Sequence, residues 1–218
     1  MCRRISQHYT WGEIDKLYGL VRAARKIEAR YNISPTSTVD AVAALATGNT
    51  LIPMLWGFVP SWWRRAANQV PSNFFNLPAE IISKNPIFRS EFKRNRCIIP
   101  ASGYFKWKET PDGKQPYFIG PADGGVLSIA GMWDARFDAD DGVSSCTMIV
   151  TSTNTGAVQH RMPVLLDPAD CEPWLNGTAG PELLKPVDAD RLRMWPVSKR
   201  VNEANGYDDP TLIEEIAA

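Results

Sequence analysis

The residue whose chemistry stands out first is Cys2, in the opening stretch MCRRIS. Removal of Met1 would leave Cys2 with a free α-amine and a thiol on adjacent carbons. The ordinary pKa values of these groups are about 7.7–8.0 and about 8.5, so both are nucleophiles near neutral pH. An internal cysteine offers only its thiol. The alternative is that position 2 belongs to a frayed and inert chain end.

The other cysteines, Cys97, Cys146 and Cys171, stand far apart and form no C-x-x-C pair. This spacing argues against a zinc site or a disulfide framework. Cys97 and Cys146 lie in the apolar runs RCIIP and SCTMIV, where a cysteine is typically a small buried hydrophobe. We therefore expect no metal and no cofactor, and we assign the chemistry to Cys2.

The charge of the chain is divided between its halves, although the formal net charge is zero. Residues 1–108 hold 16 Lys and Arg against 6 Asp and Glu, whereas residues 109–218 hold 8 against 18. Such an asymmetry is a signal of nucleic-acid binding. The densest basic run, residues 84–96, contains Arg89 and interleaved aromatics. A solvated helix face is the alternative interpretation of this run.

Tryptophans are concentrated in the basic half. Aromatic rings beside cations suit single-stranded DNA, because bases stack on the rings while phosphates follow a positive groove. Trp62 and Trp107 have polar or basic neighbours and are the candidates for base stacking. Trp56 and Trp133 are expected to belong to the core instead.

The elements that must position these residues are short. Thr10 and Glu13 predict a capping box at the start of a helix over TWGEIDKLYGLVRAAR. Further along, many short apolar runs bounded by turns predict a mainly antiparallel, barrel-like sheet with a few peripheral helices. We therefore predict an α+β fold in a single domain over residues 1–218. No stretch approaches the roughly 18 apolar residues of a membrane span, and we expect a cytoplasmic protein.

Several stretches, taken together, resemble one family. They are MCRR, RYNISPT, WGFVPSW, NLPAE, FRSEFKRNRCIIPASGYFKW, IAGMWD, HRMPVLL and PVSKRVN. Their order and spacing are similar to those of the SOS-response-associated peptidase (SRAP) family, whose members crosslink covalently to abasic sites in single-stranded DNA. The resemblance covers nearly the whole chain. It implies an SRAP-like fold, abasic single-stranded DNA as the partner, a monomer, and association with the nucleoid when the protein is on DNA.

The resemblance also implies a chemistry. A ring-opened abasic site exposes an aldehyde, which an N-terminal cysteine converts to an imine and then to a five-membered thiazolidine. Asn76 matches the family asparagine and is expected to hydrogen-bond the reacting amine or a sugar oxygen. Arg4 and Arg161 match family arginines and are expected to bind DNA. A turn-capping role is the alternative for Asn76.

The sequence departs from the family at the site. Lys106 stands where the family has an acid/base carboxylate, and Pro78 replaces an arginine. Gln159 replaces the family histidine, with His160 one place later. If this segment is extended, His160 points away from Cys2, because adjacent strand residues face opposite sides. These departures concern the residues expected to carry out the reaction rather than the residues that define the fold.

Lys106 has three interpretations. It can form a Schiff base with the aldehyde if its pKa is lowered by burial or neighbouring cations. It can also bind the phosphate beside the abasic sugar. The third interpretation is an ordinary exposed strand residue. Two further functions remain open for the whole chain. One is a single-stranded DNA-binding module without chemistry. The other is a cysteine peptidase or amidohydrolase that acts on its own N-terminus. For the crosslinking enzyme itself, lyase activity is a further possibility.

Overall fold

The computed structural model describes residues 2–21, 24, 26–64, 71–135, 144–152, 161–203 and 206–217. Within these ranges the strands are β1 Ile5–Gln7, β2 Arg30–Ile33, β3 Thr38–Leu45, β4 Gly48–Trp56, β5 Asn76–Pro78, β6 Arg96–Ala101, β7 Gly103–Thr110, β8 Gly113–Pro121, β9 Leu127–Ala135, β10 Ser144–Ser152, β11 Arg161–Pro163, β12 Leu165–Leu166 and β13 Leu192–Pro196. The α-helices are α1 Trp11–Tyr18, α2 Ala79–Ile82, α3 Pro86–Arg94 and α4 Pro168–Asn176.

The strands form two sheets. The first has five strands in the order β13-β8-β7-β1-β2. In the second, β10, β4, β3, β6 and β9 pair in sequence and β9 returns to β10, which closes a ring. Strands β11, β12 and β5 extend this ring through pairings with β10 or β9.

The predicted α+β class is confirmed, and the pairings are mainly antiparallel. Two pairings in the described residues are parallel, those of β10 with β4 and with β5. The ring is therefore less regular than an even antiparallel barrel. The assignment of residues 1–218 to one domain stays a prediction. Among the described residues, no helix has the length and apolar character needed to cross a membrane.

Helix α1 begins as predicted and ends earlier. The Thr10 side chain accepts a hydrogen bond from the Glu13 backbone N–H, while Glu13 reaches back to the Thr10 N–H. The helix stops at Tyr18, because Gly19 adopts φ 58° and its N–H bonds to the Asp15 carbonyl. The prediction that the helix continues through Val21 is wrong, and the Val21 side chain is exposed.

The core cluster that matters for Cys2 joins the two sheets. It contains Ile5, Tyr104 and Ile119 from the five-stranded sheet, together with buried side chains from the ring such as Met54 and Met148. A second cluster on the other side of β7 packs Phe105, Phe118, Val197, Val201 and Leu212 together. Strand β7 therefore separates two apolar regions, and alternate residues of β7 belong to each.

Strand β1 holds the residues after Cys2 in a fixed register against β7. Ile5 pairs with Tyr104, and Ser6 pairs with Gly103. Gly103 has no room for a side chain, since a Cβ there would lie 2.2 Å from the Phe118 ring and 2.7 Å from the Ile119 carbonyl. The close packing of β7 on β8 at this glycine thus fixes the strand that carries Lys106.

Candidate functional site

Cys2 lies three residues before β1, with its side chain completely buried. Its Sγ is 3.6 Å from the Arg4 carbonyl oxygen, to which the thiol donates. Burial raises the pKa of the Cys2 thiol, and the positive charge of Lys106 together with the bond to Arg4 opposes that rise. The thiol is therefore protonated and lies next to the Lys106 amine, a group that can accept the thiol proton when it is neutral.

Asn76 connects a distant part of the chain to Cys2. It opens β5, which pairs in parallel with β10 through Asn76 and Met148. Its Nδ2 donates a hydrogen bond of 2.7 Å to the Cys2 backbone carbonyl. The Asn76 side chain is buried, and its Oδ1 has no hydrogen-bond partner among the described residues. A buried acceptor of this kind can receive a donor from a bound molecule without losing an existing bond.

Lys106 is buried as well, with 4% of its surface exposed, so its interpretation as an exposed strand residue is wrong. It lies on the same face of β7 as Tyr104, and its Nζ donates a hydrogen bond to the Arg161 carbonyl oxygen. Burial lowers the pKa of the Lys106 amine, and the neighbouring Cys2 thiol opposes this effect. A larger fraction of the Lys106 amine is accordingly neutral, and able to accept a proton, than for a lysine in water.

Arg161 joins the buried residues to the surface. It begins β11 opposite Ser152, and its carbonyl holds Lys106. Its guanidinium lies 3.0 Å from Oε2 of Glu80 on α2. Sequence reasoning gave Glu80 no role, although Glu80 follows Asn76 by only four positions and so had to lie near it.

Arg4 is connected to Cys2 through its backbone. Its backbone carbonyl accepts both the Cys2 thiol and the Phe105 N–H, the latter at 3.0 Å. Its side chain is partly buried, and Nη1 has no hydrogen-bond partner among the described residues. A guanidinium N–H without a partner is suited to an anion such as phosphate.

The remaining predicted DNA-binding residues are spread out. Trp62 is 50% exposed, and Arg89 lies exposed on α3. Trp107 is on the face of β7 opposite Lys106, packs against the cluster around Phe105, and donates from Nε1 to Asn202 Oδ1 at 2.7 Å. The structure therefore does not bring Trp107 to Cys2.

Two parts of the site prediction need separate comment. Gln159 and His160 lie outside the described residues. Within the basic run, Arg96 is a structural residue: its Nε donates to the Phe92 carbonyl, and its guanidinium lies over the Phe92 and Trp174 rings. The basic run therefore offers fewer free cations than its composition indicates.

The fold agrees with comparisons to known proteins. The model of the SOS response associated peptidase (SRAP) family matches residues 1–204. The chain belongs to this family.

Named relatives fall in the same group. Abasic site processing protein YoqW of Bacillus subtilis is 30% identical over 194 residues, which cover 84% of this chain and 85% of that protein. Abasic site processing protein YedK of Escherichia coli is 27% identical over 180 residues, which cover 79% of this chain and 78% of that protein. A crystal structure of a protein from Bacteroides thetaiotaomicron has a TM-score of 0.86 and 25% identity, and the match covers 99% of this chain and 100% of that chain.

Proposed function

We propose that this protein processes abasic sites in single-stranded DNA by forming a covalent bond through Cys2 after Met1 has been removed. The observation that carries the proposal is the hydrogen bond from Asn76 Nδ2 to the Cys2 carbonyl, at 2.7 Å, together with the burial of the Lys106 amine beside the Cys2 thiol. The names of the relatives support the substrate class, since they are called abasic site processing proteins.

The proposed reaction balances without any cofactor. The Cys2 α-amine adds to the aldehyde carbon, and loss of one water gives an imine. The thiol sulfur then adds to the imine carbon, and the thiol proton ends on the former α-amine nitrogen. One C–N and one C–S bond form at the old carbonyl carbon, which closes the thiazolidine.

Asn76 and Lys106 divide the supporting roles. The unpartnered Asn76 Oδ1 accepts a hydrogen bond from the reacting nitrogen or from a sugar hydroxyl. Lys106, whose pKa is lowered by burial, takes the thiol proton as sulfur attacks and can return it to nitrogen. Burial of the Lys106 amine beside the thiol favours this assignment over phosphate binding, while the lowered pKa keeps the Schiff base as the alternative.

Arg4 and Arg161 hold the phosphates on either side of the lesion, and Trp62 offers a ring for a neighbouring base. The side chains of Arg4 and Arg161 are both partly exposed, whereas that of Cys2 is not. The backbone of the DNA thus stays at the surface, and the aldehyde must reach the buried thiol of Cys2.

One observation favours a second candidate, a single-stranded DNA-binding module without chemistry. The Cys2 side chain is completely buried, and its thiol pKa is raised. Buried cysteines with raised pKa values are usually inert. In that case the arginines and Trp62 would bind DNA and Cys2 would only pack.

A single experiment separates the two functions. Intact mass of the purified protein first reports whether Met1 is absent. The protein is then incubated with a single-stranded oligonucleotide that contains one abasic site, and the products are run on a denaturing gel. A heat-stable adduct of protein and DNA is expected. DNA binding without any adduct, from protein that lacks Met1, would favour the binding module.

A further inference from the structure

An exposed ion pair lies at the edge of the site, between Glu80 of α2 and Arg161 of β11. Arg161 Nη1 lies 3.0 Å from Oε2 and 3.3 Å from Oε1 of Glu80. The exposed fractions of the two side chains are 34% for Arg161 and 51% for Glu80. Through its backbone carbonyl, Arg161 also holds Lys106. The pair is therefore connected to the buried Lys106 and yet accessible to a ligand in solution.

The two charges of the pair have opposite effects on DNA binding. A guanidinium is a good phosphate ligand, whereas a carboxylate at the same place repels phosphate. Burial alone would raise the Glu80 pKa, but hydrogen bonds from its own backbone N–H and from Arg161 lower it. Glu80 is consequently an anion at neutral pH. Because exposed ion pairs are weak, a phosphate can displace Glu80 from Arg161.

We propose that Glu80 is a specificity-determining residue that competes with DNA phosphate for Arg161. This inference rests on the proposed function, since it takes Arg161 to face the DNA backbone. An intact strand must displace the Glu80 carboxylate in order to bind, which lowers the affinity for every strand. A strand with an abasic site is also held by its covalent bond to Cys2. Weakening the non-covalent contact therefore releases undamaged DNA selectively, and a repulsive element supplies the discrimination.

The test uses an intact single-stranded oligonucleotide, which carries no aldehyde, and measures binding by fluorescence anisotropy over a range of salt concentrations. Glu80→Gln removes the charge and keeps the shape of the side chain. We expect it to raise the affinity about fivefold at low salt, as the loss of an exposed ion pair allows. The plot of log affinity against log salt should steepen by about 0.7, because Arg161 then neutralises one phosphate without leaving an unpaired carboxylate beside it.

Glu215→Gln is the matched control. Glu215 forms another exposed ion pair with an arginine, Arg193, at 2.7 Å. The control loses the same charge, so it separates an effect at the site from a change in net charge. We expect Glu215→Gln to leave the salt slope unchanged. In an Arg161→Gln background, Glu80→Gln should no longer raise the affinity, because the cation that it releases is absent.

Three results would overturn the role of Glu80. They are an affinity of Glu80→Gln no higher than that of the wild type, an equal gain for Glu215→Gln, or a gain that persists without Arg161. The abasic-site chemistry is judged separately on the gel with abasic DNA. A wild type that forms no adduct there would refute the proposed chemistry, while the measurement on the intact strand would still decide about Glu80.

Discussion

Cys2 and the pair Cys97 and Cys146 lie in the same core cluster and are all completely buried, but their surroundings differ. Burial is the only cause that raises the pKa of the Cys146 thiol, and for Cys97 the neighbouring Cys146 adds to it. For Cys2 the effect of burial is opposed by the positive charge of Lys106. A lysine and an asparagine therefore lie beside Cys2, whereas no lysine contributes to the pKa of Cys97 or Cys146.

The difference teaches that burial alone does not separate a reactive cysteine from a structural one. A buried lysine costs free energy unless it is hydrogen-bonded or does chemistry that requires a shifted pKa. Lys106 and Asn76 both occupy such positions around Cys2. Each prediction below compares one residue of the candidate site with a matched residue elsewhere in the molecule.

The largest effect is expected for Cys2→Ser. A serine hydroxyl does not close a thiazolidine, so the heat-stable adduct with abasic DNA should disappear on the denaturing gel. Cys97→Ala and Cys146→Ala are the controls, because each removes a buried thiol from the same core cluster. They should retain the adduct. An adduct from Cys2→Ser equal to that of the wild type would place the chemistry at another residue, with Lys106 the first to test.

Lys106→Met comes next. It removes the base that receives the thiol proton, and the rate of crosslinking at pH 7 should fall by about a hundredfold. Single-turnover gel kinetics measure this rate. The control is Lys108→Met, since Lys108 lies two positions along the same face of β7 and is exposed. Equal rates for Lys106→Met and the wild type would exclude the proton-transfer role.

The same pair of variants gives a pH dependence of stability. The Lys106 pKa is lowered from 10.5 in the folded protein. Between the lowered value and 10.5 the unfolded chain binds more protons, so this lysine makes the free energy of unfolding rise with pH. The rise is at most about 1.4 kcal/mol per pH unit. Lys106→Met should lack this rise in urea unfolding as the pH approaches 10.5 from below, whereas Lys108→Met should match the wild type.

Asn76→Ala should slow crosslinking by about tenfold. It removes the hydrogen bond to the Cys2 carbonyl and leaves that buried acceptor without its donor, which also costs about 1–3 kcal/mol of stability. Asn32→Ala is the control, because the buried Asn32 side chain donates to the carbonyls of Glu203 and Tyr207. It should lose similar stability in urea with an unchanged crosslinking rate. Equal slowing in both variants would mean that Asn76 acts only through stability.

Local features of the fold were predictable, and long-range ones were not. The capping box of α1 depends on Thr10 and Glu13, which are close in sequence, and it was predicted correctly. The end of the helix depends on the positive φ of Gly19, which the continuing apolar spacing concealed. The parallel pairings of β10 join segments roughly 70 to 90 residues apart in the chain, and no local pattern encodes them.

The site shows the same division. Alternation in the stretch YFKWK places Lys106 and Lys108 on one face of β7, but the sequence does not distinguish them. The structure does, because Lys106 hydrogen-bonds to Arg161 of β11 and is buried, while Lys108 is exposed. The contact between the start of β11 and Lys106 depends on tertiary structure and not on the local sequence of β7. The roles of Cys2 and Asn76 stay predictions until the variants are measured.

The smallest effect concerns the aromatic residues, Trp62 and Trp107. Trp62 is half exposed in a loop that is anchored by the Ser61 N–H to Asp134 Oδ2, at 2.7 Å. Trp62→Ala should lower the affinity for intact single-stranded DNA about fivefold, the weaker end of what base stacking contributes. The salt slope should not change, because no phosphate contact is lost.

Trp107→Ala sharpens this comparison. Its ring packs on the face of β7 away from Lys106, and its Nε1 donates to Asn202. The variant should therefore lose stability in urea and bind DNA nearly as well as the wild type. Anisotropy and urea unfolding on both variants decide the matter. The contrary result is a loss of DNA affinity in Trp107→Ala as strong as that in Trp62→Ala, with unchanged stability. That result would mean that the DNA contacts the far face of β7. It would contradict the DNA path inferred from Arg4, Arg161 and Trp62.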